Sequence, residues 1–189
     1  AKVFGADTIE VPDPGFVHDL EAMAAAITPQ TKEIFIANPN NPTGTLVSQE
    51  QIDRFMEKVP PHVVVVFDEA YYEFLDNPPD TLKYVRQGRN VVVLRTFSKI
   101  QGLAGLRIGY GLGPPELIEI LQRTRQPFNT NAFAQAAALA GLQDEEHQAK
   151  TKAITDEGRA FLQSEFAAMG LEYVPSRSAE RRVGKECKS

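Results

Sequence analysis

Lys99 follows an apolar run, Val91 to Leu94, with hydroxyls at Thr96 and Ser98 just before it and glycines and Arg107 after it. Hydroxyls, backbone N–H groups and an arginine are what a phosphate dianion needs, and Arg can engage it through two parallel bonds. A lysine beside an anion site and inside a cleft is a candidate imine former. A lysine after a strand is otherwise ordinary solvated surface, so its neighbours carry the reading. Asp68 ends a second apolar run, Val63 to Phe67. A carboxylate at the end of a strand covered on both faces is desolvated and needs a cationic or hydrogen-bonding partner. A structural salt bridge would meet that need as well as a ligand would.

Asn41 lies in a third such place, the loop Asn38-Pro39-Asn40-Asn41-Pro42-Thr43-Gly44 after the apolar run Ile34 to Ile36. Pro and Asn are common turn formers, and a rigid turn is one reading. Two Asn-Pro steps directly after a buried strand also hold the Asn41 amide in a fixed place. An apolar run ending in Asp-Glu, as at Asp68-Glu69, also serves Mg²⁺ in P-loop ATPases. That reading requires a G-x-x-x-x-G-K-[ST] loop, which the sequence lacks. The Gly-Tyr-Gly-Leu-Gly run at 109–113 lacks dinucleotide-fingerprint spacing and precedes Pro-Pro.

These loops need elements to hold them. Helical spacing of Val17, Leu20, Met23, Ala24 and Ile27 predicts a helix over Phe16–Ile27. Lys32–Ala37, Val63–Phe67 and Val91–Leu94 read as buried strands. Ser48, with Gln51 three residues on, predicts a capping box opening a helix to about Lys58. A loop and short helix should fill Glu69–Gln87, and Leu106–Leu112 reads as a further strand. Pro114-Pro115 opens a helix, Asn131–Leu142 reads as a buried helix because it is apolar nearly all round, and Asp144–Met169 as a long charged one. Leu171–Val174 should be a strand starting the next unit. Alternation of this kind predicts an α/β fold, a three-layer α/β/α sandwich around a mostly parallel mixed sheet. Ligands in such sheets bind at the carboxyl ends of strands, where the three loops lie.

NPNNPTG, FDEAYYEF and RTFSKIQGLAGLRIGYG, in this order and spacing, resemble the fold-type I, class I/II aminotransferases, which use pyridoxal 5'-phosphate (PLP). The resemblance spans roughly residues 1–176 and is closest to members that act on histidinol phosphate. It implies that Asn41 hydrogen-bonds the cofactor's phenolic oxygen together with Tyr71, and that Asp68 pairs with the pyridine nitrogen. It further implies that Lys99 forms the imine and then serves as the base, while Thr96, Ser98 and Arg107 hold the phosphate. A small-molecule amino donor and a 2-oxo acid are the implied partners, in a homodimer whose Arg107 strand is the antiparallel member of the sheet. Aminotransferases for other amino acids, a threonine-phosphate decarboxylase and a non-catalytic effector domain share the scaffold and stay open at this point.

Composition is consistent with that class. The net charge of −5 gives no electrostatic reason to expect nucleic acid or an anionic membrane. A single cysteine, Cys187, allows no internal disulfide, and the three histidines show no metal-ligand spacing, so a metal-free cytoplasmic protein is expected. The sequence begins without Met, and residues 177–189 are basic with little apolar character. The expectation is a partial cofactor-binding large domain over 1–176, with 144–176 leading toward a C-terminal small domain and 177–189 a non-native tail.

Overall fold

A computed structural model describes residues 5–179 and 182–183. Its centre is a four-stranded sheet of β1 (Glu33–Ala37), β2 (Val64–Asp68), β3 (Val91–Thr96) and β4 (Gly109–Leu112), in that spatial order. The first three strands run parallel and β4 runs antiparallel to β3, as the resemblance implied. Register places Ala37 beside Asp68 and Asp68 beside Leu94, so the loops after β1, β2 and β3 emerge at one end of the sheet. At that same end Thr96 pairs with Gly109, where a Cβ would stand 2.8 Å from the Arg95 carbonyl oxygen. Only glycine permits so close an approach.

Helices α1 (Leu20–Ala25), α2 (Gln49–Lys58) and α3 (Leu82–Arg86) cover one face. Leu20, Ile52, Phe55, Met56 and Tyr84 pack there against Ile34, Ile36, Val65, Phe67, Val91 and Val93. The capping box forms as expected: Gln51 N–H donates to Ser48 Oγ at 3.2 Å, and Ser48 N–H donates to Gln51 Oε1 at 2.8 Å. The first helix is shorter than its periodicity predicts. Pro14–Phe16 forms a 3₁₀ turn with Phe16 at φ 65°, and helix begins only where the Asp19 carboxylate accepts from Ala22 N–H. A left-handed residue cannot continue an α-helix, so Asp19 rather than Phe16 marks the start.

On the opposite face Val66 and Val92 are buried, whereas Phe35 is 64 % exposed and Leu94 is also exposed. Helices α4 (Pro115–Thr124), α5 (Ala132–Gln143) and α6 (Glu145–Ala168) follow the sheet. The expectation of a buried α5 fails: only Ala134 and Ala138 are buried, and Phe133 is 84 % exposed. Its small-residue side packs near Gln101 and Leu103 at Gly141, while its large side chains point away, uncovered among the described residues. The expected strand over Leu106–Leu112 is also trimmed. Ala104–Leu106 is a 3₁₀ turn, and Arg107 is left-handed at φ 53° before β4 begins.

Tyr173–Val174 (β5) pairs antiparallel with Arg182–Val183 (β6), a short hairpin rather than the opening of another parallel unit. Within the segment expected to be a tail, Arg177 N–H donates to the Gly44 carbonyl at 2.7 Å and Ser178 is buried. Residues 180–181 and 184–189, with Cys187, lie outside the described residues. Among the described residues no helix is long and apolar enough to cross a membrane, and no His, Cys, Asp and Glu group could hold a metal ion.

Candidate active site

The carboxyl ends of β2 and β3 and the turn before β4 enclose a cleft of about 480 Å³, a volume suited to a small-molecule ligand. Asp68, Arg95, Thr96, Ser98, Lys99 and Arg107 line it. Five of the seven residues singled out from sequence therefore meet in one place. The other two join through Tyr71: Asn41 Nδ2 donates to Tyr71 Oη at 3.1 Å, and Lys99 Nζ sits 4.6 Å from the centroid of the Tyr71 ring.

Each side chain has a local reason for its position. The loop carrying Asn41 is braced from within, with both preceding-proline peptide bonds cis. Asn38 donates to the Val47 carbonyl and accepts from Val47 N–H, and Asn40 Nδ2 donates to Thr43 Oγ1. Asn41 and Pro42 are left at the exposed tip, while Asn38, Asn40 and Thr43 are buried. Tyr71 and Phe74 pack with Ile100, which clamps the turn bearing Lys99 to the turn after β2. That turn is further closed by Gly102 N–H donating to the Lys99 carbonyl and Leu103 N–H to the Phe97 carbonyl, both at 2.9 Å. Thr96 Oγ1 accepts from Ser98 N–H at 3.1 Å. Arg107 Nη1 donates to the Ala104 carbonyl at 2.6 Å, engaging one of the guanidinium's five N–H groups.

Asp68 departs from expectation. Its side chain is exposed at the cleft rather than desolvated, and Oδ1 accepts from Ala70 N–H at 3.1 Å. The buried acid is its neighbour Glu69, only 2 % exposed, which takes the salt bridge foreseen as one option for Asp68. Strand alternation explains the exchange, because consecutive residues face opposite sides of a sheet. Arg95 donates through Nε at 2.9 Å and Nη2 at 2.8 Å to Glu69 Oε2, and the Thr81 hydroxyl donates to Glu69 Oε1. The Arg95 guanidinium also lies 3.6 Å from the centroid of the Tyr72 ring. Burial pushes the Glu69 carboxyl up, against the Thr81 hydroxyl and the Arg95 cation. Burial opposes the charge on Arg95 as well, but Glu69 outweighs it and the guanidinium holds its proton more firmly than usual.

Glu69 and Arg95 were not among the residues singled out from sequence. The parallel register sets the residue after Asp68 beside the residue after Leu94, an alignment the sequence alone does not reveal. Glu73 completes this polar layer: its carboxyl is pushed up by burial, and its Oε2 is buried without a hydrogen-bond partner.

A mostly parallel α/β sheet thus carries a carboxylate, a lysine, an arginine and two hydroxyls at its carboxyl end, the place where such sheets commonly bind ligands. Residues 1–179 match the family model for aminotransferase class I and II, and the chain belongs to that family. Among its relatives, histidinol-phosphate aminotransferase of Akkermansia muciniphila is 57 % identical over 177 residues, 93 % of this chain and 49 % of that protein. The Moorella thermoacetica histidinol-phosphate aminotransferase is 54 % identical over 93 % of this chain and 46 % of its own length. The crystal structure of the Sinorhizobium meliloti histidinol-phosphate aminotransferase, in complex with pyridoxal-5'-phosphate, matches with a TM-score of 0.79 at 31 % identity, over 85 % of this chain and 44 % of that one. The chain thus spans about half the length of the relatives it matches.

Proposed function

We propose that this chain is the cofactor-binding part of a PLP-dependent aminotransferase that exchanges an amino group between histidinol phosphate and 2-oxoglutarate. The observation that carries the reading is the convergence of Lys99, Asp68, Thr96, Ser98 and Arg107 on one cleft. The donor set fits PLP group by group. Lys99 offers an amine to its aldehyde, Asp68 an anion to its ring nitrogen, and the Asn41–Tyr71 pair hydrogen bonds to its phenolic oxygen. Arg107, with the Thr96 and Ser98 hydroxyls, offers the donors a phosphate requires.

When bound, PLP supplies an electron sink for the pair left on the substrate's α-carbon. The chain's residues do the rest. Asp68, exposed to the cleft, favours a proton on the ring nitrogen, which deepens that sink. Asn41 and Tyr71 orient the ring through its oxygen. Lys99, lining the same cleft, would supply the amine that holds the cofactor and, once free, the base that moves the substrate's α-proton. Thr96, Ser98 and Arg107 would hold the phosphate and so keep the cofactor positioned independently of Lys99.

The names of the 57 % and 54 % identical relatives support histidinol phosphate as the substrate. We further propose a cytoplasmic homodimer for the full-length protein. The large exposed side chains Phe128 and Phe133 are surface that further polypeptide would cover. A coupled glutamate assay of the full-length protein should show turnover with histidinol phosphate well above that with phenylalanine or threonine phosphate, and Lys99→Ala should abolish it. Equal turnover on phenylalanine would refute the substrate assignment, and an active Lys99→Ala variant would refute the assignment of the site.

A further inference from the structure

Adjacent carboxylates end β2, and the structure gives them separate surroundings. Asp68 opens to the cleft, while Glu69 is buried against Arg95 and Thr81. Arg95 itself borders the cleft, which already contains the cationic side chains of Lys99 and Arg107. An arginine there, without its own counterion, would be drawn to the nearest exposed carboxylate. On this strand end that carboxylate is Asp68, and a guanidinium would hold it away from a ring nitrogen. Glu69 prevents this by taking both Nε and Nη2 of Arg95, while the Tyr72 ring holds the guanidinium plane from another side.

The pair also fixes spacing. Glu69 N–H donates to the Leu94 carbonyl at 2.9 Å, and the side-chain bridge joins the same two strand ends one residue further along. Asp68 is the residue before that tie, and Lys99 lies one turn beyond it. Any slip of β3 past β2 would move the amine relative to the carboxylate, and the ion pair, with Nε and Nη2 of Arg95 both on Glu69 Oε2, resists it.

We propose that Glu69 and Arg95 are a positioning pair for the cleft, with Glu69 holding the Arg95 charge off Asp68 so that Asp68 remains the anion a bound cofactor's ring nitrogen meets. The inference rests on the reading of the cleft as a PLP site. Titratable and charged groups around the pair are Tyr72 and Glu73 from the turn after β2, Tyr110 from β4, and Asp68, Lys99 and Arg107 across the cleft. A purely structural ion pair would stabilise the fold and leave the electrostatics of a bound ligand unchanged.

The test uses the full-length protein loaded with PLP and follows the pH midpoint of the bound chromophore's visible absorbance. Wild-type protein that takes up no PLP refutes the cofactor reading itself, before any variant is compared. Given uptake, Glu69→Gln leaves an uncompensated cation beside the site, and the midpoint should fall by about half a pH unit or more. Arg95→Gln leaves the opposite imbalance, and its midpoint should rise. The double variant Glu69→Gln/Arg95→Gln should return close to wild type, since removing both charges of a buried pair is far better tolerated than removing one. If Glu69→Gln fails to fold, Arg95→Gln and the double variant decide the question. Midpoints unchanged in the folded variants, with only apoprotein melting temperatures lowered, would overturn the proposal.

Discussion

Tyr71→Phe deletes one oxygen and leaves the ring in place, so it tests the hydrogen bond between the first loop and the turn after β2. Asn41 Nδ2 then loses its acceptor at 3.1 Å. Asn41 is exposed, so water can replace that acceptor. The Asn41 bond itself is therefore worth about 0.5–1.5 kcal/mol, without the full penalty of a buried orphan. The Lys99 amine, 4.6 Å from the ring centroid, keeps its aromatic face in the Phe variant. Tyr71→Leu removes that face as well and should lose about 0.5–1 kcal/mol more, apart from any packing defect. The assay is urea unfolding of the full-length apoprotein for wild type, Tyr71→Phe, Asn41→Ala and the pair, compared at common slope. A coupling energy of about 0.5–1.5 kcal/mol is expected, because each single change already breaks the same bond. Additivity within about 0.3 kcal/mol would show that Asn41 and Tyr71 do not interact, and the argument that they address one ligand oxygen would fail with it.

Other outcomes follow from buried groups. Glu73 is raised by burial, so its contribution to stability is fully present below the unfolded value, about 4.3, and is lost as pH rises through the higher folded value. Glu73→Gln should flatten that part of the stability–pH profile and stabilise the protein at neutral pH, as read by thermal melts across pH; an unchanged slope would contradict the assignment. Phe55 is fully buried between α2 and the sheet, and Phe55→Ala should destabilise by about 3–5 kcal/mol in denaturant unfolding. A loss under 1 kcal/mol would mean that this face is not the core.

Much of this organisation can be read in the residues themselves. Runs such as Val63–Phe67 are long enough for a strand and too short for a helix, and β2 forms there. Ser48 and Gln51 announce their helix because a capping box is a local contact, independent of the tertiary fold. The site residues are legible for a related reason: they follow strands, and a parallel sheet delivers strand ends to one edge. What escapes sequence reading depends on which side of an element is covered. The apolar composition of α5 indicates burial, but composition cannot say what lies against Phe133 or Leu139, and both are exposed. Likewise, Asp68 and Glu69 are equivalent in sequence. Only the pleat decides that Glu69 is buried with Arg95 and Asp68 faces the cleft.

The central claim is that Lys99 is the residue that attaches the cofactor. It is tested most directly by incubating the full-length protein with PLP, reducing with borohydride, and mapping the labelled peptide by mass spectrometry. The account predicts one stoichiometric pyridoxyl adduct, on Lys99, and its loss in Lys99→Ala. A stoichiometric adduct on another lysine, or no adduct at saturating PLP, would contradict it.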